Sequence, residues 1–222
     1  MKLVSVNVSR PIDVRSGKDL VRTAIFKKPV SGPVAVGRFN LEGDGQADLE
    51  NHGGEHKAVY AFSLDHYAFF REALGREDMP FGQFGENLTI EGLDETQSFL
   101  GDRLRIGDAE FAITQPRVPC FKLGIRLGDP AVPRLFSRSL RTGYYLKVLR
   151  EGTVQADDEV EVLERGRGAV RIDQLYEGLI RPKGKDFSGV LARALEVAEL
   201  APEWRAGIHE RLGTGKPAGA RP

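Results

Sequence analysis

The sequence predicts a mainly β protein with some α-helix, in which a barrel or sandwich is followed by a small three-helix extension. Over the first 165 residues, short apolar or alternating segments are separated by glycine-rich turns. Many short strands at close spacing are typical of barrels and sandwiches rather than of parallel sheets. After residue 165 the apolar spacing becomes helical. A chain of 222 residues that is 41% hydrophobic can form one sizeable domain and a small second one.

The strands are predicted where apolar or β-branched residues alternate with polar ones or form short runs. The first strand alternates, and the dipeptide Gly32-Pro33 marks a turn between the second strand and the third. The predicted strands are Lys2–Ser9, Val21–Phe26, Val34–Val36, Ala58–Phe62, Leu88–Ile90, Arg103–Ile106, Glu110–Thr114, Tyr144–Leu149 and Glu159–Leu163.

Helices are predicted where apolar residues recur at intervals of three and four. Some interrupt the strand region, and others follow the polar joint Arg165–Gly168. The predicted helices are Leu64–Leu74, Pro130–Leu140, Ile172–Leu179, Phe187–Glu199 and Pro202–Leu212. We therefore predict a barrel domain over residues 1–165, a three-helix domain over 166–213 that docks on it, and a disordered tail over 214–222.

Charge and cysteine content narrow the functional classes. The 32 basic residues equal the 32 acidic ones, so we expect no nucleic-acid or membrane partner. Without a signal-peptide pattern or a membrane-spanning apolar run, we expect a soluble, cytoplasmic protein. A single cysteine excludes an internal disulfide framework and a cysteine-rich zinc site. Between Arg117 and Arg150, Asp129 is the one acid among many basic residues, which indicates a solvated face or an anion site.

That cysteine, Cys120, lies in a segment with a rigid backbone. Pro116 and Pro119 restrict the chain before it, and Arg117 and Lys122 lie close in sequence. Nearby cations favour the thiolate, the form that attacks electrophiles and binds metals. Two interpretations stand at this point: a reactive or ligating thiol, and an inert small hydrophobic residue in the core.

A second motif, His52-Gly53-Gly54-Glu55-His56-Lys57, matches the H-x-x-E-H pattern of some zinc peptidases. That chemistry needs a helix, and two consecutive glycines before an apolar strand favour a turn instead. In a turn, Gly53 and Gly54 allow backbone amides to approach a ligand, with His52 and Lys57 as polar contacts. A Cys-His pair, with either histidine as the base for the cysteine, stays open.

Five segments together resemble the MOSC domain, and their order and spacing match that family. The arrangement is most similar to the bacterial YiiM-like branch, which also has a C-terminal three-helix extension. The segments are Gly43–Asp48, His52–Val59, Phe84–Leu88, Gly101-Asp102 and Gln115–Leu123. The resemblance covers nearly the whole chain and implies a MOSC-type β-barrel with a small C-terminal three-helix extension.

The resemblance also implies a molybdenum cofactor, in which a pterin holds the metal. In the family's amidoxime-reducing members, the cysteine that matches Cys120 ligates molybdenum. The asparagine that matches Asn87 lies in the cofactor-binding region, and Thr23 and Lys27 resemble polar residues that meet the pterin phosphate. We expect Arg22 or Arg117 to share the phosphate role, because a phosphate requires cationic donors.

The implied activity is reduction of small N-hydroxylated substrates such as base analogues and hydroxylamines. A separate flavoprotein would donate the electrons, and His52 or Asp48 would relay protons. A docked helical extension is also compatible with a homodimer. Two other functions stay open: a sulfur carrier with a persulfide on Cys120, and a non-catalytic module that binds the cofactor.

Overall fold

The computed structural model describes residues 1–48 and 53–214, so the sequence-predicted tail falls largely outside it. The strands are β1 (Lys2–Val8), β2 (Ile12–Ser16), β3 (Asp19–Thr23), β4 (Lys28–Val30), β5 (Val34–Val36), β6 (Val59–Ser63), β7 (Leu88–Glu91), β8 (Arg103–Ile106), β9 (Ala109–Pro116), β10 (Tyr144–Arg150), β11 (Gly152–Val154) and β12 (Val160–Glu164). The α-helices are α1 (His66–Leu74), α2 (Phe121–Leu127), α3 (Val132–Ser139), α4 (Ile172–Ile180), α5 (Ser188–Leu195) and α6 (Pro202–Leu212), and Glu55–Lys57 forms a 3₁₀ turn.

The main sheet has eight strands in the order β12-β8-β9-β10-β6-β7-β1-β4, and it is antiparallel except between β6 and β7. A β-bridge between Lys2 and Glu159 joins the start of β1 to the segment before β12. Next to it, Leu3 N–H donates to the Asp158 carbonyl at 2.9 Å. These bonds close the sheet into a barrel, which leaves fewer unpaired strand edges. The prediction of a mainly β fold with helices is confirmed.

Several short elements differ from the sequence prediction. The predicted strand Val21–Phe26 is shifted, because β3 pairs with β2 in a separate two-stranded hairpin and ends at Thr23. β2, β4 and β11 were not predicted, since β2 is largely polar, β4 contains Pro29 and β11 begins with Gly152. α2 was not predicted either, because its seven residues include Gly124 and span less than two full turns of apolar pattern.

The barrel and the C-terminal helices share one hydrophobic core. Leu104 and Phe111 from the sheet belong to the same buried cluster as Leu175, Trp204 and Ile208 from the helices. Burial of such side chains removes apolar surface from water at roughly 25 cal/mol per Å². The helical extension is thereby fixed against the barrel rather than joined to it by the chain alone.

A second cluster is rich in aromatic residues and fills the space between β6 and helices α1, α2 and α3. Its centre is Phe62, whose ring lies 4.6 Å from that of Phe84 and 5.7 Å from that of Phe136. Such offset and tilted ring pairs stabilise a core beyond their buried area. Tyr60 extends this cluster towards the functional site described below.

Among the described residues, no helix has the length and apolar character needed to cross a lipid bilayer.

Gly143, at the start of β10, fits between strands only because it lacks a side chain. Its φ is 62°, and a Cβ atom there would lie 2.2 Å from the Ala61 carbonyl oxygen. We expect Gly143→Ala to lower the free energy of unfolding by about 3 kcal/mol or more, through left-handed strain plus overpacking. Urea denaturation would measure the change.

The matched control is Gly184→Ala, because Gly184 has a φ of 75° but open space around it. It should cost about 1 kcal/mol for the backbone strain alone. Equal losses in the two variants would contradict the overpacking argument.

Candidate functional site

A cleft that is partly open to solvent lies where the 23–27 and 44–48 loops meet the end of β9. Clefts are the usual location of small-molecule and cofactor sites. Its wall brings together most of the sequence-predicted site residues, although they come from distant parts of the chain: Thr23, Lys27, Asp48, Lys57, Asn87, Arg117 and Cys120.

Cys120 reaches the cleft because β9 ends at Pro116 and α2 begins at Phe121. The cysteine itself has an extended backbone, with φ −114° and ψ 171°, and is partly buried. Its neighbours Val118 and Phe121 are 41% and 61% exposed. The thiol is therefore held on a short connector between two regular elements, at the boundary between the interior and the solvent.

Arg117 is buried in the wall beside Cys120, with 5% of its surface exposed. Its guanidinium lies between two aromatic rings, 4.8 Å from the centre of Tyr60 and 5.1 Å from that of Phe136. Burial lowers the pKa of Arg117, but Tyr60, Tyr145 and Cys120 raise it more, so the net pKa lies above the usual value. Arg117 therefore stays cationic, and its charge favours the thiolate form of the cysteine.

One nitrogen of this guanidinium, Nη1, is buried and has no hydrogen-bond partner among the described residues. A buried donor without an acceptor costs about 1–3 kcal/mol. Such a group commonly marks a place where a ligand or an ordered water completes the bonding. The wall of the cleft thus contains a cation with unused donor capacity.

Lys27 and Asn87 both line the cleft and both bind Asp44. The Lys27 ammonium donates to Asp44 Oδ1 at 2.5 Å, and Asn87 Nδ2 donates to Asp44 Oδ2 at 2.9 Å. Asn87 Oδ1 accepts from the Tyr60 amide at 3.0 Å, and the Ser9 amide donates to Asp44 Oδ1 at 2.9 Å. Burial lowers the pKa of Lys27, against the opposing effect of Asp44. Asn87 therefore acts as a brace that orients Asp44, which in turn holds Lys27.

The two remaining lysines of the cleft also face carboxylates. Lys57 Nζ lies 2.6 Å from Glu203 Oε1, and Lys122 Nζ lies 3.4 Å from Asp48 Oδ2. Among the described residues, four cations line the cleft, and each of the three lysines among them lies close to a carboxylate. The cleft therefore brings together several cationic side chains, the groups that bind an anion.

Other predicted site residues are not brought to the cleft wall. Gly53 and Gly54 are absent from the lining, and the Gly54 amide donates to Gln46 Oε1 at 3.2 Å. Gly54 has a φ of 90°, so no α-helix runs through it as the zinc-peptidase motif requires. His52 lies outside the described residues. The double glycine lies in the turn that leads to Lys57.

Sequence reasoning missed three residues of the site. Asp44 and Tyr145 line the cleft. Glu203 contacts Lys57 from the C-terminal helix α6. Asp44 lies in a segment that the family resemblance had already singled out, whereas no local pattern distinguishes Tyr145 or Glu203.

The family profile of the MOSC domain matches residues 48–161, just over half of the chain. The chain belongs to the MOSC-domain family. Among its relatives, the uncharacterized protein YflK of Bacillus subtilis is 35% identical over 209 residues, which cover 94% of this chain and 93% of YflK. The crystal structure of YiiM from Geobacillus stearothermophilus is 32% identical with a TM-score of 0.79, and the match covers 95% of this chain and 98% of that one. The YiiM-like branch is thereby confirmed.

A third MOSC relative is a protein named "Reductase" from Gibberella moniliformis. It is 32% identical over 148 residues, which are 65% of this chain but 26% of that protein. The MOSC profile includes Lys57, Asn87, Arg117 and Cys120, whereas Glu203 lies beyond its end. The cleft therefore combines residues of the MOSC domain with a residue from the C-terminal helices.

Because Arg117 stabilises the thiolate, its replacement should slow the reaction of Cys120 with iodoacetamide. We expect Arg117→Gln to lower the alkylation rate at pH 7.5 about three- to tenfold. Arg141→Gln is the matched control, since Arg141 also stacks on an aromatic ring, 4.3 Å from the centre of Phe69, but does not line the cleft. An unchanged rate in a folded Arg117→Gln protein would contradict the assigned role of the buried cation.

Proposed function

We propose that this protein binds a molybdenum cofactor through Cys120 and reduces small N-hydroxylated compounds, such as base analogues and hydroxylamines. The observation that carries the proposal is the joint placement of a thiol and four cationic side chains in one cleft. A thiolate is a suitable soft ligand for a transition metal, and cations suit the phosphate of a pterin. The name of the fungal relative, "Reductase", supports the same class of reaction.

The residues of the cleft fit such a group chemically. The cleft is partly open to solvent, so a ligand can enter it. The unpartnered Nη1 of Arg117 offers a buried donor, and Lys27, Lys57 and Lys122 provide positive charge. A metal enclosed by protein ligands alone is less well supported, since no three His, Cys, Asp or Glu side chains converge anywhere in residues 1–48 and 53–214.

Each residue then has a defined role. Cys120 would supply the sulfur ligand, and Arg117 would keep that sulfur anionic. Lys27, Lys57 and Lys122 would bind the phosphate, with the Thr23 hydroxyl as a further donor near them. Asn87 would hold Asp44, and thereby Lys27, in place instead of contacting the cofactor.

When bound, the cofactor supplies two-electron reduction of an N–O bond. Two electrons and two protons then yield the amine and water, and the electrons would come from a separate flavoprotein. Asp48 lines the cleft and is bridged to Lys122, so it is positioned to relay a proton. His52 is the other candidate relay, and we propose it on sequence grounds.

The test is metal and pterin analysis of protein purified from a host that makes the cofactor. We expect about one molybdenum and one pterin per chain, together with hydroxylamine reduction when reduced viologen donates the electrons. Cys120→Ser should lower that activity at least about a hundredfold. Mutation of a residue that only supports a metal ligand typically lowers metal affinity or activity about ten- to a hundredfold, and loss of the ligand itself should cost more.

Ser139→Ala is a control for the loss of a small polar side chain, since Ser139 lies at the end of α3 and outside the cleft lining. Protein that lacks both molybdenum and pterin under these conditions would overturn the proposal. A mass gain of one sulfur atom on Cys120 that dithiothreitol removes would indicate a sulfur carrier instead. Bound cofactor without turnover would indicate a binding module.

A further inference from the structure

Glu203 places a carboxylate from the C-terminal helices at the mouth of the cleft. It lies in the first turn of α6 and pairs with Lys57, whose side chain lines the cleft, at 2.6 Å. The side chain of Glu203 is 48% exposed, and that of Lys57 is 14% exposed. The pair therefore joins a buried lysine of the MOSC domain to a residue at the surface.

The position of Glu203 does not depend on this ion pair. The Ala201 amide donates to the Thr114 carbonyl at 3.3 Å, and the Thr114 hydroxyl donates to the His56 carbonyl at 2.6 Å. Trp204, the next residue in α6, is buried in the core. The backbone around Glu203 is thus fixed beside the cleft, while its carboxylate stays able to change rotamer.

Among the described residues, three carboxylates face the lysines of the cleft, and they differ in how firmly they are held. Asp44 is 5% exposed and accepts bonds from Ser9 and Asn87 as well as from Lys27. Asp48 has 26% of its side chain exposed. Glu203 is the most exposed of them, so an incoming anion displaces it at the lowest cost.

We propose that Glu203 is the exchangeable counter-ion of Lys57, which it holds until a phosphate-type anion enters the cleft and takes its place. Glu203 is then a positioning residue that lowers the affinity of the cleft for anions. By linkage, the anion that binds Lys57 weakens the contact of α6 with the cleft. The inference rests on the proposed function, in which the cofactor phosphate is bound by the lysines of the cleft.

Calorimetric titration of the full chain with inorganic phosphate at low ionic strength tests this inference. Glu203→Gln should raise the affinity about three- to tenfold, because it removes a competing charge from Lys57. Glu203→Ala should give the same rise, which guards against an artefact of one substitution. In a Lys57→Met background, Glu203→Gln should change the affinity less than about twofold, since the two residues act through one contact.

Glu210→Gln is the matched control, because Glu210 is an exposed glutamate on the same helix. It should leave phosphate affinity within about twofold of the wild type. Phosphate should also slow the alkylation of Cys120 by iodoacetamide, which locates the anion in the cleft.

An unchanged or lower affinity in folded Glu203→Gln protein would overturn the inference, as would the absence of phosphate binding in both proteins. Failure of the counter-ion role and failure of the proposed function give different results. Cofactor in the wild type with no effect of Glu203 rejects the counter-ion role alone. A Glu203 effect on phosphate in a protein that never carries molybdenum rejects the proposed function alone.

Discussion

The charged side chain of Arg117 is buried beside the rings of Tyr60 and Phe136. A buried charge is costly unless neighbouring groups compensate it. Here the aromatic faces and the adjacent Cys120 do so. The aromatic cluster around Phe62 keeps these rings in place. The position and charge state of the thiol therefore depend on a cation that is fixed by the core of the protein.

Charge around the cleft is organised in layers. Deep in the wall, Asp44 and Asn87 hold Lys27 in a network with several hydrogen bonds. Nearer the mouth, Lys57 forms an ion pair with Glu203 of α6. Glu203 lies beyond the part of the chain that the MOSC profile matches. A site that binds an anion must be cationic when occupied and must avoid unpaired buried charge when it is not. An exchangeable carboxylate would meet both requirements, and this is the role that we propose for Glu203 of the C-terminal helices.

Sequence patterns predicted the features that are determined by residues close together in the chain. Alternating strands gave the mainly β fold, and the proline frame around Cys120 indicated a rigid connector, which the structure places between β9 and α2. Asn87 was singled out by family resemblance, but its role as a brace for Asp44 was not, because that contact joins residues 43 positions apart. The Lys57–Glu203 pair spans still more of the chain. Gly53 and Gly54 lie in the turn before Lys57, as the glycine pair predicted, and their contact with a ligand stays a prediction.

The proposed function requires Cys120 to provide a sulfur ligand to molybdenum. X-ray absorption spectroscopy at the molybdenum edge, on wild-type protein and on Cys120→Ser protein loaded with cofactor, measures that bond directly. If Cys120 is a ligand, molybdenum should have one fewer sulfur neighbour in the variant than in the wild type. An identical number of sulfur neighbours in the two proteins would contradict it.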